Sequence, residues 1–420
     1  PSSDPCLYPL QVDSHSFFWN IAPGAEAAVS SFVTHLAAAE ALHKASDVQL
    51  LPRNVMFTFF QGETFDYIGS SRMVYDMEKE KFPLRLDNIH SFLELNQVAL
   101  MNDSRLWMHT DPISRMNDSV GAQVKHLLDV LSNSSQGLNV TLEEVGFSQP
   151  LPPSSFQRFL RARHIPGVVL TDHRTSFHNR QGRGSKEPWL LQGWWGAGAA
   201  HPGALTQQLP PLQALAEVAT VLARALYQLA GGANHTSAIQ ADPKTYHPPP
   251  GLISLPLPGD VPQHYVAVSS PVNTTYLVQY VLANLTGTVV NLTKEECLSP
   301  EKSPSTDREL FDYSWVQGSL EPNSSSRLPF CVRSTVHLSK ALSPAFELRQ
   351  WGSTEYSTWT ESRWKDIRAR IFLVASKELE IITLVVGVAI LLFSLLATYF
   401  INAKAEILFS IPRDPGAVSY

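Results

Sequence analysis

The sequence predicts an α/β fold with a mostly parallel sheet flanked by helices, joined to one C-terminal transmembrane helix. Three observations carry that expectation. Short apolar runs rich in β-branched and aromatic residues alternate with helix-like stretches through the body of the chain. One terminal block, Ile381 to Ile401, holds 21 residues without a charge. The apolar share of 44% excludes a disordered chain. The charged share is only 17%, against roughly 25% in soluble domains. A net charge of −6 leaves no basic stripe to track nucleic-acid phosphates.

Taken in order, Ala27 to Lys44 reads as an alanine-rich helix with Phe32, Leu36 and Leu42 toward one side. Val55 to Phe60, VMFTFF, reads as a buried strand. Ser71 to Lys81 reads as a helix, Leu93 to Leu100 as a strand and Val120 to Leu131 as a helix. Phe156 to Arg163 and Gly167 to Thr171 make a helix–strand pair. Leu212 to Ala230 is a long helix, Tyr265 to Ser270 a strand, and Thr275 to Leu285 a helix. No internal repeat is present.

Three stretches break the pattern. Residues 1–11 have neither the basic start nor the apolar core of a signal peptide and are taken as an atypical, non-native N-terminus. A lumenal domain without a signal reads as a fragment. Residues 174–211 hold adjacent tryptophans and scattered glycine without a period of 2 or 3.6. Residues 247–258 are proline-rich and unfit for a central strand. Mobile loops are one reading of the last two; translated non-coding sequence is the preferred one.

The apolar block would reach about 31 Å as a helix, enough to cross a hydrocarbon core. The organisation follows: a lobe over 12–378, a transmembrane helix over 379–401 and a cytosolic tail over 402–420. Flanking charge conflicts with that orientation, because Arg363, Lys365, Arg368, Arg370 and Lys377 precede the block. The N-x-S/T signals decide it. Nine occur, at Asn102, Asn117, Asn133, Asn139, Asn234, Asn273, Asn284, Asn291 and Asn323, and all precede the block. Chance would give roughly two or three. A long domain translocates largely regardless of charge, so a type I topology is expected. Cys297 and Cys331 suit an oxidising compartment, and their pairing would contribute roughly 3–4 kcal/mol. Cys6 has no obvious partner.

Val55 to Ser70, VMFTFFQGETFDYIGS, is a strand running through a Gly-Glu turn into a helix. Glu63 then sits at the C-terminal end of a strand, where α/β folds build their sites. The segment resembles the strand–turn of two-metal zinc aminopeptidases, whose two adjacent acids are a general base and a metal ligand. Glu63 matches the base, while Thr64 stands at the ligand position. Asp13 matches the aspartate of an upstream His-x-Asp motif, with Gln11 in the histidine place. Ala27, Asn96 and Ser357 stand at the other ligand positions. A two-zinc site needs His and carboxylate donors, so the resemblance implies a catalytically dead relative, without metal or cofactor.

DYIGS at Asp66 to Ser70, the dense sequons, YSTWTESRWKDIRARIF before the span and the ending PRDPGAVSY resemble the nicastrin family. The likeness covers roughly Val12 to His173, Leu212 to Lys244 and Gly259 to Tyr420. It implies a non-catalytic glycoprotein subunit of γ-secretase that gates ectodomain-shed type I membrane proteins of the Notch and amyloid-precursor type. It also implies presenilin, anterior-pharynx-defective and presenilin-enhancer partners, residence from the endoplasmic reticulum to the plasma membrane, and a missing smaller N-terminal lobe. Glu63, Asp66, Tyr67, Ile68, Gly69 and Ser70 are the cleft residues it points to. Two readings of Glu63 and Asp66 stand: capping of the following helix, or engagement of substrate. Trp351, Tyr356, Trp359 and Trp364 are either headgroup anchors or partner contacts. Gly387, Ala389, Ser394, Ala397 and Thr398 give the span a small-residue face suited to helix packing. An active ectopeptidase and an adhesion or receptor glycoprotein are the competing functions.

Overall fold

The computed structural model describes residues 5–13, 30–98, 104–176, 210–233, 236–243, 273–298, 311–320, 327–359 and 377–405. The chain forms two compact units, 1–363 and 364–420.

The first unit is built on a six-stranded sheet. Its strands are β1 (Cys6–Gln11), β2 (Val55–Phe60), β3 (Ser91–Leu95), β4 (Arg105–His109), β5 (Thr141–Glu144) and β6 (Gly167–Thr171), in the spatial order β2-β1-β3-β6-β4-β5. All neighbours run parallel except β4 against β6. The helices are α1 (Ser30–His43), α2 (Ile68–Glu78), α3 (Pro112–Arg115), α4 (Asp118–Ser134), α5 (Phe156–Ala162) and α6 (Pro210–Leu229), then α7 (Asn273–Thr286).

Alternation along each strand sends successive side chains to opposite layers. Tyr8, Leu10, Leu93, Val168 and Leu170 join one core with Phe32 and Leu36 of α1, Leu127 of α4, and Leu222 and Leu226 of α6. Leu7, Phe92 and Val169 join the other with Met73 and Met77 of α2 and with Phe156 and Phe159 of α5. Phe92 stacks on Phe156 at 4.4 Å between ring centroids. Both faces being covered is why β3 and β6 are buried at every residue.

The N-terminus departs from expectation. Residues 6–11 form β1, an interior strand between β2 and β3, and Cys6, Leu7, Tyr8 and Leu10 are each at most 1% exposed. The lobe therefore includes them and does not begin at residue 12. Pro9 is tolerated because β3 pairs only with Cys6 and Leu7, so the ladder on that side ends before the missing N–H. Helix boundaries otherwise shift by a few residues, and the strand foreseen over Leu93 to Leu100 lies at β3.

A second, antiparallel sheet has the order β7-β9-β8, with β7 (Thr288–Val290), β8 (Asp312–Leu320) and β9 (Arg327–Ser334). Cys297, on the short α8 (Lys294–Leu298), is disulfide-bonded to Cys331 on β9, while Cys6 is free and buried. A further short helix, α9 (Pro344–Glu347), follows. The strand foreseen at Tyr265 to Ser270, the stretch 247–258, most of 174–211, and Ala27, Asn102, Asn234 and Asn323 lie outside the described residues.

The second unit contains α10 (Lys377–Ala403). Within it Ile381–Ala403 is long and apolar enough to cross a membrane, with mean hydropathy 2.7 and none of its apolar window buried. Thr398 Oγ1 donates to the Ser394 carbonyl at 2.7 Å, so its hydroxyl is satisfied within the helix.

Candidate functional site

Three adjacent parallel strands, β2, β1 and β3, deliver their C-terminal ends to one place. Asp13 follows β1, the Gly62–Tyr67 turn follows β2, and Glu94 and Asn96 mark the end of β3. The described positions picked out by the aminopeptidase likeness converge here.

The turn depends on backbone that few residues adopt. Gly62 has φ 78°, and Asp66 and Tyr67 have φ 62° and 57°. Two consecutive non-glycine residues in the left-handed region carry strain that the surroundings must hold. Asp13 grips the first half: its carboxylate accepts the Glu63 N–H at 3.0 Å, the Thr64 N–H at 3.1 Å and the Thr64 hydroxyl at 2.6 Å. Arg158 of α5 grips the second half. It pairs with the Asp66 carboxylate, donates to the Asp66 carbonyl at 3.2 Å, and lies 5.2 Å from the Tyr67 ring centroid. Gly69 is needed for close approach, because a Cβ there would sit 2.6 Å from the Gln61 carbonyl oxygen.

Glu63 is 3% exposed. Its carboxylate accepts the Ser70 N–H at 2.8 Å, the Ser70 hydroxyl at 2.8 Å and the Ser155 hydroxyl at 2.6 Å. Glu94, equally buried, accepts the N–H groups of Ser155 and Phe156 at 3.0 and 2.9 Å. Burial pushes all three acids up against the donors that lower them: Asp13 to about 6, Glu63 to about 7 and Glu94 to about 8. Asp13 raises Glu63 further, and Glu63 raises Glu94, by repulsion of like charge.

The four described positions that would hold metal are occupied otherwise. Gln11 Nε2 donates to the Asp13 carbonyl at 2.8 Å, and Thr64 Oγ1 to the Asp13 carboxylate. Asn96 Nδ2 donates to the Pro153 carbonyl at 3.1 Å. Ser357 Oγ donates to the Phe65 carbonyl at 2.7 Å, across 292 residues of sequence. Each is a neutral side chain spent on bracing the fold. No group of three or more His, Cys, Asp or Glu is placed to hold a metal among the described residues. This donor set does not fit zinc.

Of the cleft residues singled out from sequence, Glu63, Ile68, Gly69 and Ser70 are buried, Tyr67 is partly exposed and Asp66 is exposed. Only the last two present a surface. Glu94, Ser155 and Arg158 were not foreseen. The signal for Glu94 was a lone acid in the apolar strand SFLEL, and for Ser155 the serine pair that opens a helix in PPSSF.

Among the sequons, Asn117 caps α4 through Oδ1, which accepts from Ser119 N and Val120 N. Asn133, Asn139 and Asn291 are exposed, and Asn284 is partly buried. Asn139 Nδ2 bonds Glu217 at 2.9 Å. Asn273 opens α7.

The family described as the nicastrin large lobe matches residues 7–185. The chain is 59% identical to nicastrin from Homo sapiens and from Mus musculus over 98% of its own length, covering 60% and 61% of theirs. It therefore spans about six-tenths of the length of these relatives. Nicastrin from Caenorhabditis elegans is 28% identical over 39% of the chain. A crystal structure of the γ-secretase component nicastrin shares the fold, with TM-score 0.58 and 20% identity over 87% of this chain and 64% of that one. Residues 7–185 thus match the nicastrin large lobe, and along nearly its whole length the chain is similar to nicastrins from Homo sapiens and Mus musculus.

Proposed function

We propose that this chain serves as a non-catalytic glycoprotein subunit of γ-secretase, anchored by α10 as a single-pass type I membrane protein. The observation that carries the non-catalytic reading is the fate of the ligand positions. Gln11, Thr64, Asn96 and Ser357 are neutral and hydrogen-bonded into the scaffold. A hydrolase of the aminopeptidase type needs carboxylates and histidines there to activate water. What persists at the strand ends is a braced turn with Asp66 and Tyr67 at its surface.

In this reading the lobe works by bulk and fixed placement. It favours assembly and limits access to membrane stubs whose large ectodomains have been shed. Presenilin and the anterior-pharynx-defective and presenilin-enhancer subunits are the proposed partners, and Notch and the amyloid precursor protein represent the substrate class. Glu63 contributes by shaping the turn, while Asp66 and Tyr67 are the residues placed to touch another chain. Gly387, Ala389, Ser394, Ala397 and Thr398 are proposed to face partner helices. The sequons ahead of α10 are proposed to carry sugar and so to face the lumen.

Affinity purification of the full chain in mild detergent, followed by mass spectrometry, tests this. Stoichiometric recovery of multi-pass partners that include an intramembrane aspartyl protease is the expected result. Recovery of the chain alone supports a free adhesion or receptor glycoprotein. Aminopeptidase activity that follows bound zinc supports the ectopeptidase.

A further inference from the structure

Glu94 is the one ionisable residue of the buried interior strand β3, and among the described residues no cation pairs with it. Its two oxygens take the N–H groups of Ser155 and Phe156 at the head of α5. The hydroxyl of that same Ser155 donates to Glu63 at 2.6 Å. One serine is thus gripped by two buried carboxylates, through its amide by one and its hydroxyl by the other. Glu63 in turn satisfies the Ser70 N–H at the head of α2. Three residues beyond Ser155, Arg158 holds Asp66 and covers Tyr67. So α5 meets the Gly62–Tyr67 turn at a buried point and at an exposed one.

We propose that Glu94 is a positioning residue for Glu63: it fixes Ser155, Ser155 fixes the Glu63 carboxylate, and the two acids take up protons as a coupled unit that sets how tightly the turn is held. The inference rests on the reading of that turn as the lobe's working surface, and its physical test needs no partner.

The groups facing the pair are Asp13 from the end of β1, Tyr67 and Asp66 from the turn, Ser70 from α2, and Ser155 and Arg158 at α5. Arg158 spends its charge on Asp66 at the outer side. Two ionised carboxylates on one serine repel in a low-dielectric site, so a proton enters the pair before either would protonate in water. With the proton in place the Glu63–Ser155 bond survives, with donor and acceptor able to exchange. With it gone, repulsion pushes the two acids, and the elements they cap, apart. Burial and mutual repulsion raise both groups, in agreement with this order.

Amide hydrogen exchange on the full chain in detergent, corrected for intrinsic rates, reads the effect directly. Residues 62–71 should be protected about tenfold more at pH 6 than at pH 8, the ratio that one unit of pKa difference supplies. Glu94→Gln should flatten that profile. Ser155→Ala should lower protection at both pH values, and Ser155→Thr, which keeps the hydroxyl, should restore it. Exchange in α1 and α6 serves as the control for intact folding, and the serine pair keeps the test valid if the Glu94 variant does not fold. The proposal fails if the Glu94→Gln profile superimposes on the parent's, if the parent's protection does not change with pH, or if Ser155→Thr behaves as Ser155→Ala does. Loss of co-purification with a normal exchange profile would strike the proposed function and leave this inference standing.

Discussion

Helix α2 is held by glutamates on two sides, and the two arrangements differ in kind. At its N-terminus Glu63 and, through Ser155, Glu94 are buried and meet only neutral donors. Farther along, Glu347 lies at the surface between Arg72 and Lys81, each at 2.7 Å. Burial raises the first pair, whereas Lys81 and Arg72 lower Glu347. The same side chain therefore responds to pH with opposite sign in the two places. Solvent screens the outer cluster, so its geometry says little about its worth. The inner cluster cannot be screened, so each missing bond leaves a buried group unsatisfied.

The comparison breaks most visibly at Glu94. Glu94→Ala removes the acceptor for two buried N–H groups and should cost about 2–4 kcal/mol in chemical denaturation. A loss under about 0.5 kcal/mol would mean that water replaces the carboxylate and that the cluster is not dry. Gly69→Ala comes next. Its Cβ would meet the Gln61 carbonyl at 2.6 Å, and backbone yields little, so a loss of about 1–3 kcal/mol is expected in the same assay.

The pH response follows in size. Glu63 and Glu94 bind protons more tightly folded than unfolded, so stability from this source is complete below about 4.5, where both states are protonated. It is lost as pH rises through about 7 to 8. Thermal unfolding should give a midpoint about 3–6 °C higher at pH 5.5 than at pH 8, and Glu94→Gln should shrink the difference. Glu347 has the opposite sign, its contribution being present above the ordinary glutamate range and lost as pH falls through its lowered value. Glu347→Gln should shift the midpoint by less than about 1 °C, with any shift vanishing in high salt.

Much of the fold was legible in the chain. VMFTFF and GVVLT are apolar runs of strand length, and they are β2 and β6. β1 was not, because Pro9 argues against an interior strand unless the ladder beside it is known to stop early. β4 and β5 were missed because their outer positions are charged and β5 has only four residues. For the site, sequence showed what Gln11, Thr64, Asn96 and Ser357 are not. What they do instead depends on partners brought by the fold, as with Ser357 on the Phe65 carbonyl. Glu94 was overlooked for the same reason: its meaning lies in two amides about sixty residues away.

The central claim is that a buried carboxylate pair keeps a proton near neutral pH. Infrared difference spectroscopy on the full chain measures this directly through the carbonyl stretch of protonated carboxyl groups. The account predicts a protonated-carboxyl band at pH 6.5 that fades toward pH 8.5 and shrinks to a weaker Asp13 remainder when Glu63 and Glu94 are both replaced by glutamine. A spectrum without that band at pH 6.5, or a band left undiminished by the double replacement, would contradict it.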